Sequence, residues 1–221
     1  MEALRAAVIN GVLMGGIYGL TALGLTLIFG VMKIINFAHG SFLMVAMFIA
    51  YWLVTLTGIN PYVALIVIVP VSYVIGYYTQ ETLIKPVLKV EEEVREPIGV
   101  LLLTAGLWIF LNNFFLMLFG ANFRSAETVY SGTTFKLGDT RISLPLFYAF
   151  IISLGTAYIL FKILKRTKLG KAIRATGQDR EAARLMGINV YRIYNIAFGI
   201  GIAAVGVAGA ILIPLFYVHP F

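Results

Sequence analysis

The sequence predicts an all-α polytopic membrane protein with about six transmembrane helices, on three observations. Hydrophobic residues make up 60% of the 221 residues and charged residues only 12%, with a mean hydropathy of +0.93. A soluble domain of this length has too little interior to hide that much apolar surface. The charged residues divide the chain into uncharged runs at 6–32, 34–80, 97–123, 142–161 and 193–221. A span needs roughly 20 residues, and 34–80 can hold two. The runs do not alternate as barrel strands would, so a helical bundle follows. Finally, residues 162–192 hold nine Lys and Arg residues against Asp179 and Glu181, a net of +7, which equals the formal charge of the whole chain. By the positive-inside bias this loop lies in the cytoplasm. One transmembrane domain over 1–221, with a cytoplasmic loop at 162–192, is the expected organisation.

The first span, near 8–31, lies in the uncharged run after Arg5, which is too long for a signal-peptide core and has no clear cleavage site. It carries Gly11, Gly15 and Gly19 at a spacing of four, with Gly16, Gly24 and Gly30. Such small residues let helices approach closely in lipid, and helices of this kind can also line a path or slide during gating. Lys33-Ile-Ile-Asn-Phe-Ala-His-Gly-Ser41 then interrupts the apolar stretch. Lys33 fits a snorkelling lysine at a helix end. Asn36, His39 and Ser41 need protein or water partners at membrane depth, and Gly40 offers a break. Residues 36–41 therefore read as the border of a translocation path or a helix break; an interfacial turn is the plainer alternative.

Spans near 36–56 and 61–80 meet at the turn Thr57-Gly-Ile-Asn-Pro61. The mixed-charge stretch 81–97 (Glu81, Glu91–Glu93 and Glu96 against Lys85, Lys89 and Arg95) reads as a solvated loop. The span near 98–119 carries Asn112 and Asn113, a second candidate for the path or a pair of interhelical hydrogen-bond partners. Residues 120–142 are polar and turn-rich, with a short alternation at Val129-Tyr130 and Thr133-Thr-Phe135. Spans near 143–162 and 193–214 complete the set, the last again dense in glycine and alanine. Alternation from the basic loop puts 81–97 inside and both 120–142 and the N-terminus outside.

In the basic loop, Thr176 with Asp179 three residues on is a capping-box pattern, and Gly187 stands where a helix C′ residue is wanted, giving a helix over 177–187. Ala182, Leu185 and Met186 fall on one face; Arg180 and Arg184 fall on another, with Glu181 three residues before Arg184. A helix this short needs a support. Two readings stay open: it rests on its own membrane domain, or it is a knob that docks into a partner.

Several functions find no support. Cysteine is absent, and His39 and His219 have no carboxylate cluster near them in sequence, so neither a metal site nor a disulfide is expected. Gly170-Lys171 lacks the first glycine and the final Ser/Thr of a P-loop. No nucleophile or paired-carboxylate arrangement suggests hydrolysis, so neither an enzyme nor a cofactor is expected. The pI of about 9.6 reflects topology, not nucleic-acid binding.

Two stretches carry a resemblance. Asn10-Gly-Val-Leu-Met-Gly-Gly-Ile-Tyr-Gly-Leu-Thr-Ala-Leu-Gly24, followed by Ile35-Asn-Phe-Ala-His-Gly40, resembles the start of LivH-type permeases, membrane subunits of bacterial and archaeal ABC importers for branched-chain amino acids. The stretch 174–188 is similar to that family's cytoplasmic coupling loop: Glu181-Ala182-Ala183, with Gly187 four beyond the second alanine, fits the pattern that contacts the ATPase. The resemblance implies a multi-pass protein of the plasma or inner membrane. It also implies ABC ATPase subunits, a LivM-type permease partner and an extracytoplasmic solute-binding protein. Thr176, Asp179, Arg180, Glu181, Ala182, Ala183, Arg184 and Gly187 are the expected coupling residues. Asn36, His39, Gly40, Ser41, Asn112 and Asn113 are the expected path residues. Urea and amide permeases share these motifs and stay as alternatives, as do a stand-alone secondary transporter or channel titrating at His39 or Lys33 and a non-transporting scaffold. Family members run on for two further spans beyond the point matching Phe221, so the resemblance implies a fragment, a truncated frame or a short member.

Overall fold

The computed structural model describes residues 2–90, 98–126, 130–137 and 140–220. The order is α1 (Glu2–Met32), α2 (His39–Thr57), α3 (Pro61–Thr79), a π-turn (Gln80–Ile84), α4 (Lys85–Val90), α5 (Ile98–Phe119), β1 (Thr134–Leu137), β2 (Thr140–Ser143), α6 (Leu144–Arg166), α7 (Lys168–Gln178), α8 (Arg180–Leu185) and α9 (Val190–Leu212). Six helices are long and apolar enough to cross a membrane: Leu4–Met32, His39–Thr57, Pro61–Val90, Ile98–Phe119, Leu144–Arg166 and Val190–Leu212. All six expected spans are present.

Helix α9 is the axis of the bundle, with 83% of its most apolar window buried, against 11% for α5. Its small residues explain this position. A Cβ on Gly24 of α1 would lie 2.5 Å from Gly201 O, and one on Gly201 would lie 2.8 Å from Gly24 O, so the two backbones touch where they cross. Gly206 and Gly209 bring α3 and α2 equally close, against Ser72 and Ala46. In lipid, where apolar surface alone gives helices little reason to associate, such close backbone packing holds them together. The expected stripe on α1 behaves differently. A Cβ at Gly11, Gly15 or Gly19 would meet nothing within 4 Å. The close glycine contacts of α1 fall instead at Gly16, against Phe150 of α6, at Gly24, and at Gly30, whose carbonyl faces Gly177 of α7.

The turn between α2 and α3 is built as its residues dictate. Gly58 caps α2 at φ 68°, Asn60 caps α3 by accepting from Tyr62 N, and Pro61 opens α3. The third span then departs from expectation. Residues 81–90, read as loop, continue the helix to Val90. Pro86 should break an α-helix, but the π-turn immediately before it inserts an extra residue: Lys85 N reaches Gln80 O, five residues back. Glu91–Glu93, Arg95 and Glu96 lie outside the described residues. So do Val129, Gly138 and Asp139. Thr134, Phe135 and their neighbours form a hairpin, with β1 and β2 antiparallel and Phe135 opposite Ile142. Apart from this pair and an isolated bridge between Arg124 and Val218, the described residues are helices and turns.

Candidate functional site

The interruption at 33–38 is a re-entrant segment. Lys33 ends α1 in the left-handed region (φ 57°), its N–H donating to Phe29 O at 2.9 Å. The chain then turns back alongside α1, so that His39 Nε2 donates to Thr21 O at 3.0 Å. The carbonyl can only accept, so Nε2 carries the proton. Thr21 precedes Met32 by eleven residues, about 16 Å of helix. Helix α2 thus begins near the middle of the bundle, not at its edge, and the expected start at 36 moves to His39. Such irregular backbone at membrane depth requires protein partners. Ala38 N donates to Asn36 Oδ1 at 3.1 Å, and Phe37 N donates to Thr104 Oγ1 at 3.3 Å. The Thr104 hydroxyl lies 3.0 Å from Leu101 O and 3.3 Å from Ile35 O. Thr104, fully buried on α5, is therefore the clamp that holds the segment.

Beyond this segment lies a cavity of about 330 Å³ between α2, α5 and residues 217–219, lined by Gly40, Ser41, Met44, Trp108, Asn112 and His219 among others. This is toward the lower end of small-molecule sites, ~300–1,000 Å³. Ser41 Oγ donates to Asn112 Oδ1 at 2.8 Å across the two helices. Of the six expected path residues, Gly40, Ser41 and Asn112 meet at this cavity. Asn36 and His39 are buried behind it, and Asn36 Nδ2 has no partner among the described residues. Asn113 is exposed and donates to Ile109 O of its own helix at 2.8 Å.

The basic loop is two short helices at a corner. Thr167 caps α7 by accepting from Gly170 N at 2.9 Å. The far end of α7 packs on α1, where a Cβ on Gly177 would lie 2.8 Å from Gly30 O. Thr176 is inside α7 and buried, its hydroxyl without a partner among the described residues, so it does not cap the next helix. Asp179 does, its Oδ1 accepting from Glu181 N at 2.9 Å and Ala182 N at 3.0 Å. The expected helix over 177–187 is accordingly Arg180–Leu185, because a carboxylate that takes both N–H groups defines its own start. Its end follows the expectation: Gly187 at φ 80° donates to Arg184 O at 2.9 Å, and Ile188 N donates to Ala183 O at 3.0 Å, a Schellman closure.

Support comes from one buried residue of α8, Ala183, which joins the core cluster around Ile173 and Val190. The expected apolar face of Ala182, Leu185 and Met186 points away. Leu185 is 89% exposed and Met186 82%. Arg180 and Glu181 are exposed as well, and the Arg184 guanidinium lies 5.5 Å from the Tyr191 ring centroid.

A polytopic bundle, a re-entrant break clamped at mid-depth and a protruding capped helix on its basic loop are thus joined in one chain. Residues 7–221 match the family described as branched-chain amino acid transport system / permease component. The chain belongs to that family. It is 27% identical to the high-affinity branched-chain amino acid transport system permease protein BraD of Pseudomonas aeruginosa over 217 residues, covering 92% of this chain and 69% of that protein. It is 25% identical to the corresponding LivH protein of Escherichia coli over 220 residues (92% and 68%). To the probable branched-chain amino acid transport permease protein LivH of Methanocaldococcus jannaschii it is 32% identical over 200 residues (87% and 61%). No solved structure matches the chain. The protein is therefore a LivH-type permease, a multi-pass transport subunit of the cell membrane and not an enzyme, and ATP hydrolysis belongs to a separate ABC ATPase.

Three features of the permease escaped the sequence. Thr104 gave no signal, because a lone threonine in an apolar helix is ordinary. His219 is 180 residues from His39 in sequence, yet it lines the same cavity as Gly40 and Ser41. Glu81, expected in a solvated loop, accepts from Asn195 Nδ2 of α9 and pairs with Lys85 on its own helix. Beside it Gln80 is fully buried, and both its amide atoms are without partners among the described residues. A π-turn carrying buried polar groups commonly marks a functional part of a helix. The signal available was Gln80-Glu81 at helical spacing from Tyr77 and Ile84, with no helix breaker between.

Proposed function

We infer that this permease forms part of the path for branched-chain amino acids in an ABC importer, and that α8 is the helix through which the ATPase acts on it. The observation that carries the reading is α8 itself. Six residues are fixed by a carboxylate cap at one end and a Schellman closure at the other, are seated through Ala183, and hold Leu185 and Met186 out in water. Large apolar side chains held this exposed by a rigid support are suited to a groove on a partner. Asp179, Arg180, Glu181, Ala182, Arg184 and Gly187 form the rest of the contact, Thr176 and Ala183 supporting it from below. Because α7 packs on α1 through Gly177 and Gly30, movement of α8 passes as a rigid body to the first span.

The cavity beside Ser41 and Asn112 serves as this chain's share of the path. Its apolar walls suit an aliphatic side chain, and the N-terminal end of α2 presents a positive dipole to a passing carboxylate. A LivM-type partner and an extracytoplasmic binding protein complete the importer. The Gly11, Gly15 and Gly19 stripe, bare within this chain, supports a second permease packed on α1. The basic loop and α8 face the cytoplasm and the hairpin faces outward, as the charge bias favours.

Co-purification of the ATPase with wild type and with Leu185→Ser/Met186→Ser tests the coupling. Loss of the ATPase from the variant, with membrane level unchanged, is expected. Equal recovery refutes the assignment of α8. Uptake of labelled leucine by the reconstituted importer, against urea and acetamide, tests the solute.

A further inference from the structure

A second cavity, about 520 Å³, lies between α1, α6 and α7. Its walls are apolar side chains, among them Leu23, Leu27, Leu160 and Phe161, and its mouth carries Lys33 and Arg174. We propose that this groove holds an anionic phospholipid of the cytoplasmic leaflet, its acyl chain against α1 and α6 and its phosphate between Lys33 and Arg174. The placing in that leaflet rests on the orientation given under the proposed function.

Depth and charge carry the argument. From Leu23 to Lys33 is ten residues of α1, about 15 Å, half of a ~30 Å hydrocarbon core. The groove is thus one leaflet deep, apolar along its length and cationic at the end where a headgroup lies. Neither cation has an acidic partner among the described residues. Both are held in place. Lys33 is set at the mouth by its left-handed backbone, and Arg174 donates through Nη1 to Leu164 O at the exposed end of α6, leaving further guanidinium N–H groups for an anion. Lys165, 5.2 Å from the Phe161 ring centroid, adds charge at the rim. Basic pockets between spans on the cytoplasmic side are suited to anionic headgroups. The occupant would also brace the coupling apparatus, because α7 forms one wall and leads through Asp179 directly into α8.

Native mass spectrometry of the permease–ATPase complex, extracted from membranes of phosphatidylethanolamine and phosphatidylglycerol, tests this. Wild type is expected to retain phosphatidylglycerol preferentially. Lys33→Asn removes the charge but tolerates the left-handed backbone, and should lower phosphatidylglycerol retention about fivefold with phosphatidylethanolamine unchanged. Thr26→Phe fills the groove, since Thr26 is an exposed residue of its wall, and should lower both lipids while the ATPase stays bound. Equal retention by all three proteins overturns the proposal. So does loss of the ATPase or a second permease from Thr26→Phe with retained lipid unchanged, which gives the groove to a protein segment. Because the chain has no cysteine, Lys168→Cys labelled with an impermeant maleimide reads the orientation separately. Labelling from outside intact cells refutes the cytoplasmic leaflet even where lipid is retained.

Discussion

Gly187 is where backbone geometry, rather than side-chain contact, should decide whether the permease engages its ATPase. Its φ of 80° is the left-handed conformation that closes α8, and the space around it is open: a Cβ would meet nothing within 4 Å. Substitution therefore carries a conformational cost without a steric one. An L-residue in this region costs roughly 1–2 kcal/mol, more for a β-branched side chain, while asparagine tolerates it. Helix α8 has six residues and one buried side chain, so it has little else to resist such a cost. If valine at 187 shifts the closed turn by about 1.4–2.8 kcal/mol, affinity for the ATPase falls about tenfold to a hundredfold. Gly187→Asn should stay within about threefold of wild type, because its cost is below ~0.7 kcal/mol. Titration of detergent-solubilised permease with purified ATPase measures both. Equal losses in Gly187→Val and Gly187→Asn would refute the reasoning, since the defect would then follow side-chain bulk at the interface. Unchanged binding in both would remove α8 from the contact.

Packing, caps and the Ser41–Asn112 bond set four further outcomes. Gly24→Ala puts a Cβ 2.5 Å from Gly201 O and should cost ~1–3 kcal/mol of overpacking, whereas Gly15→Ala in the isolated chain should be neutral or stabilising by up to ~1 kcal/mol; thermal unfolding in detergent separates them. Asp179→Ala removes the cap from Glu181 N and Ala182 N and should cost ~1 kcal/mol of local stability, read as faster hydrogen exchange at those amides. Thr176→Val, which replaces a buried hydroxyl without a partner among the described residues, should leave that exchange unchanged, the reverse of what a Thr176 cap requires. Asn112→Ala breaks the 2.8 Å bond from Ser41 at a stability cost of only ~0.6 kcal/mol; if the cavity is the path, the KM for leucine uptake changes several-fold while the melting temperature barely moves.

Amino-acid order alone made legible the class, the number of spans and the one loop in which positive charge gathers. These depend on local quantities: the length of apolar runs, which lipid converts into helices because no other open structure satisfies the backbone there, and the position of cations, which sets topology. It also placed Gly187 correctly, since a Schellman closure is decided within six residues. Tertiary structure decided what depends on neighbours. Residues 36–41 read as a path border or helix break with an interfacial turn as the alternative, and the residue that clamps the segment, Thr104, lies 67 positions from Phe37. The capping pattern at Thr176 was locally sound but lost to the packing of α7 on α1, which draws Thr176 into the interior and leaves Asp179 to start the next helix. Glu81 read as solvent-facing because its partner, Asn195, is 114 residues away. Which glycines touch was likewise beyond the sequence: a spacing of four marks a face but not its partner, and it is Gly24 and Gly201, not the regular stripe of α1, that meet at the centre of the bundle.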